Sequence, residues 1–358
     1  MAKVAGIRLI SRLTSDAEEA QAIAYGAPNV DVYSSSWGPQ DDARRLDGAG
    51  HLSAEVLEAV VNGNAAHPQL HGRGGLGSIY IWAAGNGAAV GDNCNYDSWA
   101  NSRYTITVAA ITDLGTVAKY SEPCSAILVA APSSGGNRSI TTTAVSLAGD
   151  GKLCTSKFGG TSAAAPSIAG IVALMLESNP RLTWRDVQHI LVHSASLGGL
   201  QPDTQINAGA HIYSHSLGFG VPSAWKAVML ADSWTNVGPA RVADYYLPID
   251  EEIRGPVAGL RRCVSVQEQF LLEHVEVILN AKHPRRGDLE VYLVGTTEVQ
   301  SRLAEMHGDS NPDYRDWRFM SVAYWDSESQ GLWCLTLRDR RWDQRGIWKS
   351  WQLRLWGR

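Results

Sequence analysis

Gly160-Thr161-Ser162-Ala163-Ala164-Ala165-Pro166 leads into Ser167-Ile168-Ala169-Gly170-Ile171-Val172-Ala173-Leu174-Met175, an apolar run whose length and period predict a buried helix over 161–178. A serine in the first turn of such a helix turns its hydroxyl into a cleft, and small neighbours let another backbone approach closely. The free N–H groups and the positive end of the helix favour negative charge at that spot. A serine at a helix start is most often only an N-cap. The small residues on both sides are what favour a nucleophile at Ser162.

Outward from this stretch, residues 3–10, 29–37, 78–85, 104–111 and 126–132 are short Val- and Ile-rich runs that read as buried strands. Helical patterns lie between them at 15–25 and 52–61, and further helices are expected at 184–197 and 222–234. Alternation of this kind predicts an α/β domain, a parallel sheet flanked by helices with sites at the carboxyl ends of its strands. From about residue 235 the period changes. Residues 273–281 and 288–294 read as antiparallel strands joined by a tight turn at 282–287, and 331–338 and 347–356 continue the pattern. The chain is expected to divide into an α/β portion, 1–234, and an all-β domain of antiparallel sandwich or jelly-roll type, 235–358. Trp317, Trp325 and Trp333 are expected in its core or between its sheets.

A chain of 358 residues exceeds what one hydrophobic core usually organises, which agrees with two domains. With 31 Lys+Arg against 36 Asp+Glu the net charge is -5, so no basic surface suggests nucleic-acid binding. No run reaches the roughly 18 to 20 consecutive apolar residues of a membrane helix, so the chain reads as soluble. Met1 to Ile10 has no signal-peptide pattern and reads as an interior strand, which points to a truncated start. The cysteines Cys94, Cys124, Cys154, Cys263 and Cys334 are odd in number, so at least one has no partner within the chain. Asn137-Arg138-Ser139 is a weak glycosylation sequon.

Gly-Thr-Ser-x-Ala-x-Pro at 160–166 resembles the nucleophile motif of subtilisin-like serine proteases. Ser36-Trp37-Gly38-Pro39-Gln40-Asp41-Asp42, Trp82-Ala83-Ala84-Gly85-Asn86-Gly87, Cys94-Asn95-Tyr96-Asp97 and Leu182 to His189 narrow the resemblance to the furin/kexin-type proprotein convertases. The similarity runs from about residue 3 to the C-terminus and includes that family's P domain. It implies a calcium-dependent endopeptidase of the secretory pathway that cuts proproteins after basic residues. Ser162 would be the nucleophile, and Asn86 with the Ser162 N–H would hold the oxyanion.

Acidic residues gather around these segments, and carboxylates in a cleft suit arginine through paired N–H···O bonds. The resemblance assigns Asp41 and Asp97 to the pocket for the arginine before the cut bond, and Asp47 and Glu19 to more distal basic side chains. Ser36, Trp37, Gly38 and Pro39 would pair with the substrate backbone as a strand. The family holds Ca2+ at the positions of Asp41, Asp92 and Glu122 and joins those of Cys94 and Cys124. Cys154 matches a position whose partner lies upstream. Cys263 matches one whose partner would fall near Arg241, which leaves a Cys263 to Cys334 bond open.

Serine catalysis of this type also needs a histidine and an aspartate. The family carries them in Asp-(Ser/Asp)-Gly and His-Gly-Thr settings, neither of which occurs here, and His71-Gly72-Arg73 is a poor substitute. Negligible peptidase activity is expected of this chain by itself, and the rival reading is a module that binds basic peptides or a partner protein. Gly72 to Gly77 fits a dinucleotide-binding pattern but precedes a strand, the wrong setting. His189 and His193 share a helix face without a zincin glutamate and read as packing and surface residues. Arg286-Gly287-Asp288 reads as a hairpin turn, not an adhesion motif.

Overall fold

The computed structural model describes the chain except residues 1, 11–12, 49, 64–67, 146–150, 152, 199–203, 254, 256–258, 297–298 and 342–344. Its first half is built on a parallel sheet of β1 (Val32–Ser35), β2 (Ile79–Ala83), β3 (Thr105–Ile111) and β4 (Ile127–Pro132), in that spatial order. Every residue of β2 and β3 is buried, as expected of strands covered on both faces. Helices α1 (Asp16–Ala24), α2 (His51–Asn62), α3 (Thr161–Ser178), α4 (Trp184–Ser194) and α5 (Ala224–Asp232) match the expected helical segments. Ser15 and Thr183 cap α1 and α4 with reciprocal capping boxes to Glu18 and Asp186. Helix α3 packs against all four strands. Its 18 residues are long and apolar enough to cross a membrane, but Ile168, Val172 and Met175 are wholly buried in this core.

One expected strand is absent. Residues 3–9 are irregular and exposed, with Val4 at 96% exposure. An apolar run becomes a strand only when a neighbour takes up its N–H and C=O groups. Among the described residues no strand pairs with them, and the short β1 forms the sheet edge.

The second half is a sandwich of two four-stranded antiparallel sheets. One runs Arg241–Ile253, Gly346–Gly357, Leu272–Lys282, Tyr314–Ser321; the other runs Leu260–Val266, Gly331–Asp339, Leu289–Val294, Gln300–Ala304. Trp325, Trp333, Trp348 and Trp351 are fully buried, while Trp317 is half-buried. The expected hairpin between 273–281 and 288–294 is a correction: these strands lie in different sheets, and residues 283–288 cross from one to the other. The crossing is buried at His283, Gly287 and Asp288 and is held by polar contacts. Arg286 is paired with Asp309 at 2.6 Å, and Gly287 and Asp288 are inaccessible, which removes Arg286-Gly287-Asp288 as a surface motif. Cys263 and Cys334 stand opposite each other on paired strands and form a disulfide, as Cys94 and Cys124 do; Cys154 is free and exposed.

Arg185 of α4 joins the two halves. Its guanidinium donates to both oxygens of Glu273 at 2.7 and 2.6 Å, to Gly238 O at 2.6 Å and to Gly357 O at 3.1 Å. His189 Nε2 also meets Glu273 at 2.8 Å, and Gln188 meets His274 at 2.8 Å. Burial would raise the Glu273 carboxyl, but the bonds from His189 and Arg185 overcome it and hold the group down at about 2. Removing one partner strands the other charge, so Glu273→Ala should cost about 3 to 5 kcal/mol in urea denaturation. Glu251→Ala, which breaks a pair with Arg262 that is more than a third exposed on both sides, should cost under about 1 kcal/mol in the same assay.

Candidate active site

Ser162, Asn86, Asp41, Asp92, Asp97 and Glu122, together with Ser36 to Pro39, line one cleft of about 120 Å³. It lies where β1 and β2 end and α3 begins, the position expected for a site in a parallel sheet.

Asn86 is aimed by its neighbours. Its Oδ1 accepts from the Thr161 N–H at 2.8 Å and from the Thr161 hydroxyl at 3.1 Å. Because the oxygen takes a backbone donor, the side-chain NH₂ is the end left over. Gly160 adopts φ +76°, and a Cβ there would stand 3.0 Å from Asn86 Oδ1, so both conformation and space call for glycine. Thr161 further ties α3 to the loop after β2: its one hydroxyl proton is shared between Asn86 Oδ1 and Gly85 O, 3.2 Å away, and its oxygen accepts from Gly85 N–H at 3.2 Å.

Pro166 has no N–H, so the carbonyl four residues earlier, that of Ser162, lacks its helical donor. The Ser36 hydroxyl donates to that carbonyl at 3.1 Å and links the proposed substrate strand to the serine's own backbone. The same strand is fixed by aromatic packing. Trp82 Nε1–H donates to Trp37 O at 2.8 Å, and the Trp37 and Trp82 rings meet edge-on at 4.8 Å. Gly38 passes over Asp97, where a Cβ would stand 3.1 Å from the carboxylate.

The acids beneath the cleft are short of donors. Asp41 accepts from Asn86 N–H at 3.1 Å, and Glu122 from Gly87 N–H at 2.8 Å. Asp92 accepts from Ala43 and Asn93 N–H, each at 2.9 Å. Burial, then repulsion from Asp92, Asp41 and Asp97, pushes Glu122 up to about 9; burial and the Asp47 and Asp41 charges push Asp97 up to about 7. Gly85 and Gly87 make room for this cluster, since a Cβ on either would crowd the Glu122 carboxylate. Asp41, Asp92 and Glu122 are hard oxygen donors with unmet charge, the chemistry Ca2+ requires. They form an open set. Among the described residues only His189, His193 and Asp326 bring three such ligand atoms within 4.8 Å of one another.

Asp47 and Glu19 lie outside this cleft. Asp47 pairs by backbone beside it, its N–H donating to Tyr96 O at 2.8 Å, and Glu19 accepts from Thr14 Oγ1 at 3.2 Å. The Asp47 charge nevertheless reaches both Asp97 and Glu19. Asp42 is at the surface and pairs with Arg45 at 3.0 Å. Two lining residues were not singled out from sequence. Thr161 is the clamp on Asn86, and Arg45 is the one basic residue among those lining the cleft. The Arg44-Arg45 pair among Asp41, Asp42 and Asp47 was the available signal, and it does not say which of the two arginines faces the cleft. The Cys94–Cys124 disulfide spans the ends of the segments that carry Asp92 and Glu122. No histidine lines the cleft among the described residues.

Residues 1–220 match the subtilase family and residues 272–355 the proprotein convertase P-domain. The chain is 36% identical over 375 residues to proprotein convertase subtilisin/kexin type 6 of Rattus norvegicus, covering 99% of this chain and 38% of that protein. Furin of Mus musculus is 36% identical over 348 residues, covering 94% of this chain and 42% of furin. The chain thus spans less than half the length of these relatives. Among solved structures, a serine protease of Aeromonas sobria superposes with a TM-score of 0.83 over 97% of this chain and 75% of its own, at 19% identity, a likeness of fold.

The folded Glu122 binds its proton up to about pH 9, whereas unfolded it would release it near 4.5. Between pH 7 and 9 the folded state therefore holds the extra proton, and stability falls as pH rises, by up to about 1.4 kcal/mol per pH unit. Thermal denaturation in chelator should show this slope, and Glu122→Gln should flatten it.

Proposed function

The chain belongs to the subtilase family, in its proprotein convertase branch, and on that premise we propose that it carries the nucleophile, oxyanion site and basic-residue pocket of a calcium-dependent serine endopeptidase. Its substrates would be proproteins cut after basic residues. The peptidase portion would end near residue 234 and the P domain would follow. The single observation that carries the reading is that Ser162, Asn86, Asp41 and Asp97 line one cleft.

Within that reaction the Ser162 hydroxyl oxygen attacks the carbonyl carbon of the substrate arginine. The side-chain NH₂ of Asn86 and the Ser162 N–H receive the developing oxyanion, and loss of such a donor costs about 3 kcal/mol of transition-state stabilisation. The hydroxyl proton passes to a histidine that the cleft does not include among the described residues. Asp97 and Asp41 hold the guanidinium as a bidentate partner would, and Ser36 to Gly38 pair with the substrate backbone. Calcium, held by Asp41, Asp92 and Glu122, would neutralise the acids beneath the pocket. Asp47 and Glu19, outside the cleft, would meet basic side chains farther from the cut bond. Two disulfides and the exposed Asn137 sequon suit a secretory lumen.

A second reading follows from the absence of a lining histidine: the chain by itself binds basic peptides without cutting them.

A labelled peptide ending in arginine should bind the chain in the presence of calcium, read by fluorescence anisotropy. Asp97→Asn should weaken binding at least 30-fold, since a desolvated charge contact is worth about 2 to 5 kcal/mol. Asp42→Asn, already paired at the surface, should change it less than about threefold. Equal affinity in wild type and Asp97→Asn would refute the pocket. Ser162→Ala in the complete protein should lose on the order of 10⁶ in turnover, the loss measured in subtilisin.

A further inference from the structure

We propose that Arg45 sets the charge preference at the far end of the cleft, so that a peptide held there by its arginine carries an acidic residue, and not a second basic one, a few positions before that arginine. The preference rests on the pocket reading proposed above and adds a selectivity that the acids alone would not produce. Every other charged residue lining the cleft among the described residues is acidic: Asp41, Asp92, Asp97 and Glu122. A cleft of carboxylates alone would reward basic side chains along its whole length. Arg45 breaks that pattern at one place.

Its place follows from the strand. Ser36 is bonded to the nucleophile's own carbonyl at 3.1 Å, Gly38 passes over Asp97, and Gln40 lies two residues farther on. Pro39 offers no N–H, so backbone pairing with a peptide lapses there and side chains take over. Arg45 returns to this point because the chain reverses at Ala43, which holds φ +55° while its N–H donates to Asp92 Oδ2 at 2.9 Å. Arg45 Nη2 then donates to Gln40 Oε1 at 3.3 Å and to Asp42 Oδ2 at 3.0 Å. Four residues of extended chain span about 13 Å, which sets Arg45 beside a peptide residue roughly two to five positions before the arginine.

Both oxygens of Asp42 are taken up, Oδ1 by the Arg44 N–H at 2.9 Å and Oδ2 by Arg45. Arg45 keeps donors in reserve. Its Nη2 serves Gln40 and Asp42, whereas Nε and Nη1 donate no hydrogen bond among the described residues, and 49% of the side chain is exposed. Those remaining N–H groups suit a carboxylate, and the same charge repels a lysine or arginine. The bond from Asp42, then its charge and that of Asp47, raise the guanidinium above its ordinary value, so the preference holds wherever the peptide's acid is ionised. Asp47 and Glu19 lie outside the cleft, so basic side chains that reach them leave the Gln40 end to another residue of the peptide.

Labelled peptides ending in arginine, with glutamate or lysine walked through the second to fifth positions before it, are titrated with the full chain in calcium and read by fluorescence anisotropy. At one position the wild type should favour glutamate over lysine by about tenfold, since a half-exposed ion pair is gained and a like-charge contact avoided, each worth a few-fold. Arg45→Glu should reverse that preference, Arg45→Gln should level it, Arg45→Lys should keep it, and added salt should shrink it. An arginine that only braced its loop would change the affinity of every peptide alike and leave the ratio untouched. Equal binding of the glutamate and lysine peptides at every position, or the same ratio in Arg45→Glu as in wild type, would overturn the preference, while a loss of binding in Asp97→Asn would leave the pocket standing. Failure of the wild type to bind any of these peptides would overturn both.

Discussion

Arg185 is the interaction on which the arrangement of this molecule depends. A buried guanidinium is tolerated only when its donors are met, and here they are met by Glu273 of one sandwich strand, by the end of another at Gly357, and by the connecting segment at Gly238. Because those partners come from three places, the sandwich can occupy only one position against α4. Farther along, the same sandwich supports the cleft. Tyr96 donates its hydroxyl to Glu305 O at 3.1 Å and stacks on His307, and Asn95 Oδ1 accepts from Met320 N–H at 3.0 Å. The sandwich therefore braces the pocket floor from behind without lining it.

That floor has to carry charge it cannot fully satisfy. A hydrogen bond to a charged group is worth about 1.5 to 3 kcal/mol, less than the several kcal/mol that burying a carboxylate costs. Glu122 receives one backbone N–H and is pushed up to about 9; Asp92 receives two, one to each oxygen, and is raised as well. Backbone donors alone do not offset the burial and mutual repulsion of these acids. On the proposed function, a divalent cation beneath the pocket, or an arginine above it, would supply what is missing. The disulfide and the two glycines hold the acids together in the meantime.

Local features were legible in the sequence. The bounds of α3 follow from its apolar period and small-residue start, and the four strands of the sheet from runs buried on both faces. Features that depend on a distant partner were not. Residues 3–10 carry strand composition but find no neighbour, and composition cannot supply one. Residues 282–287 carry turn chemistry, but whether a turn folds a strand back or passes it to the facing sheet is decided by what packs beneath it, here Asp309 and Asp313. His193 was noted only for sharing a helix face with His189, and only Asp326, more than a hundred residues away, gives it and His211 a common target. Thr161 was hidden differently: inside the motif it looks like a spacer, and its function appears once Asn86 is seen to need an anchor.

Asn86 shows how the site separates two tasks. Its oxygen is tied down by Thr161, Thr161 is tied to Gly85, and Gly160 leaves the space that both need. None of these contacts involves a proton acceptor for Ser162. Asn86 is thus positioned by the end of β2 and the start of α3, whatever group receives the serine proton. On the proposed function, recognition of a basic residue and placement of its carbonyl would fall to these described elements. Proton transfer is a requirement added to them, which is why binding and cleavage can be measured apart in this protein.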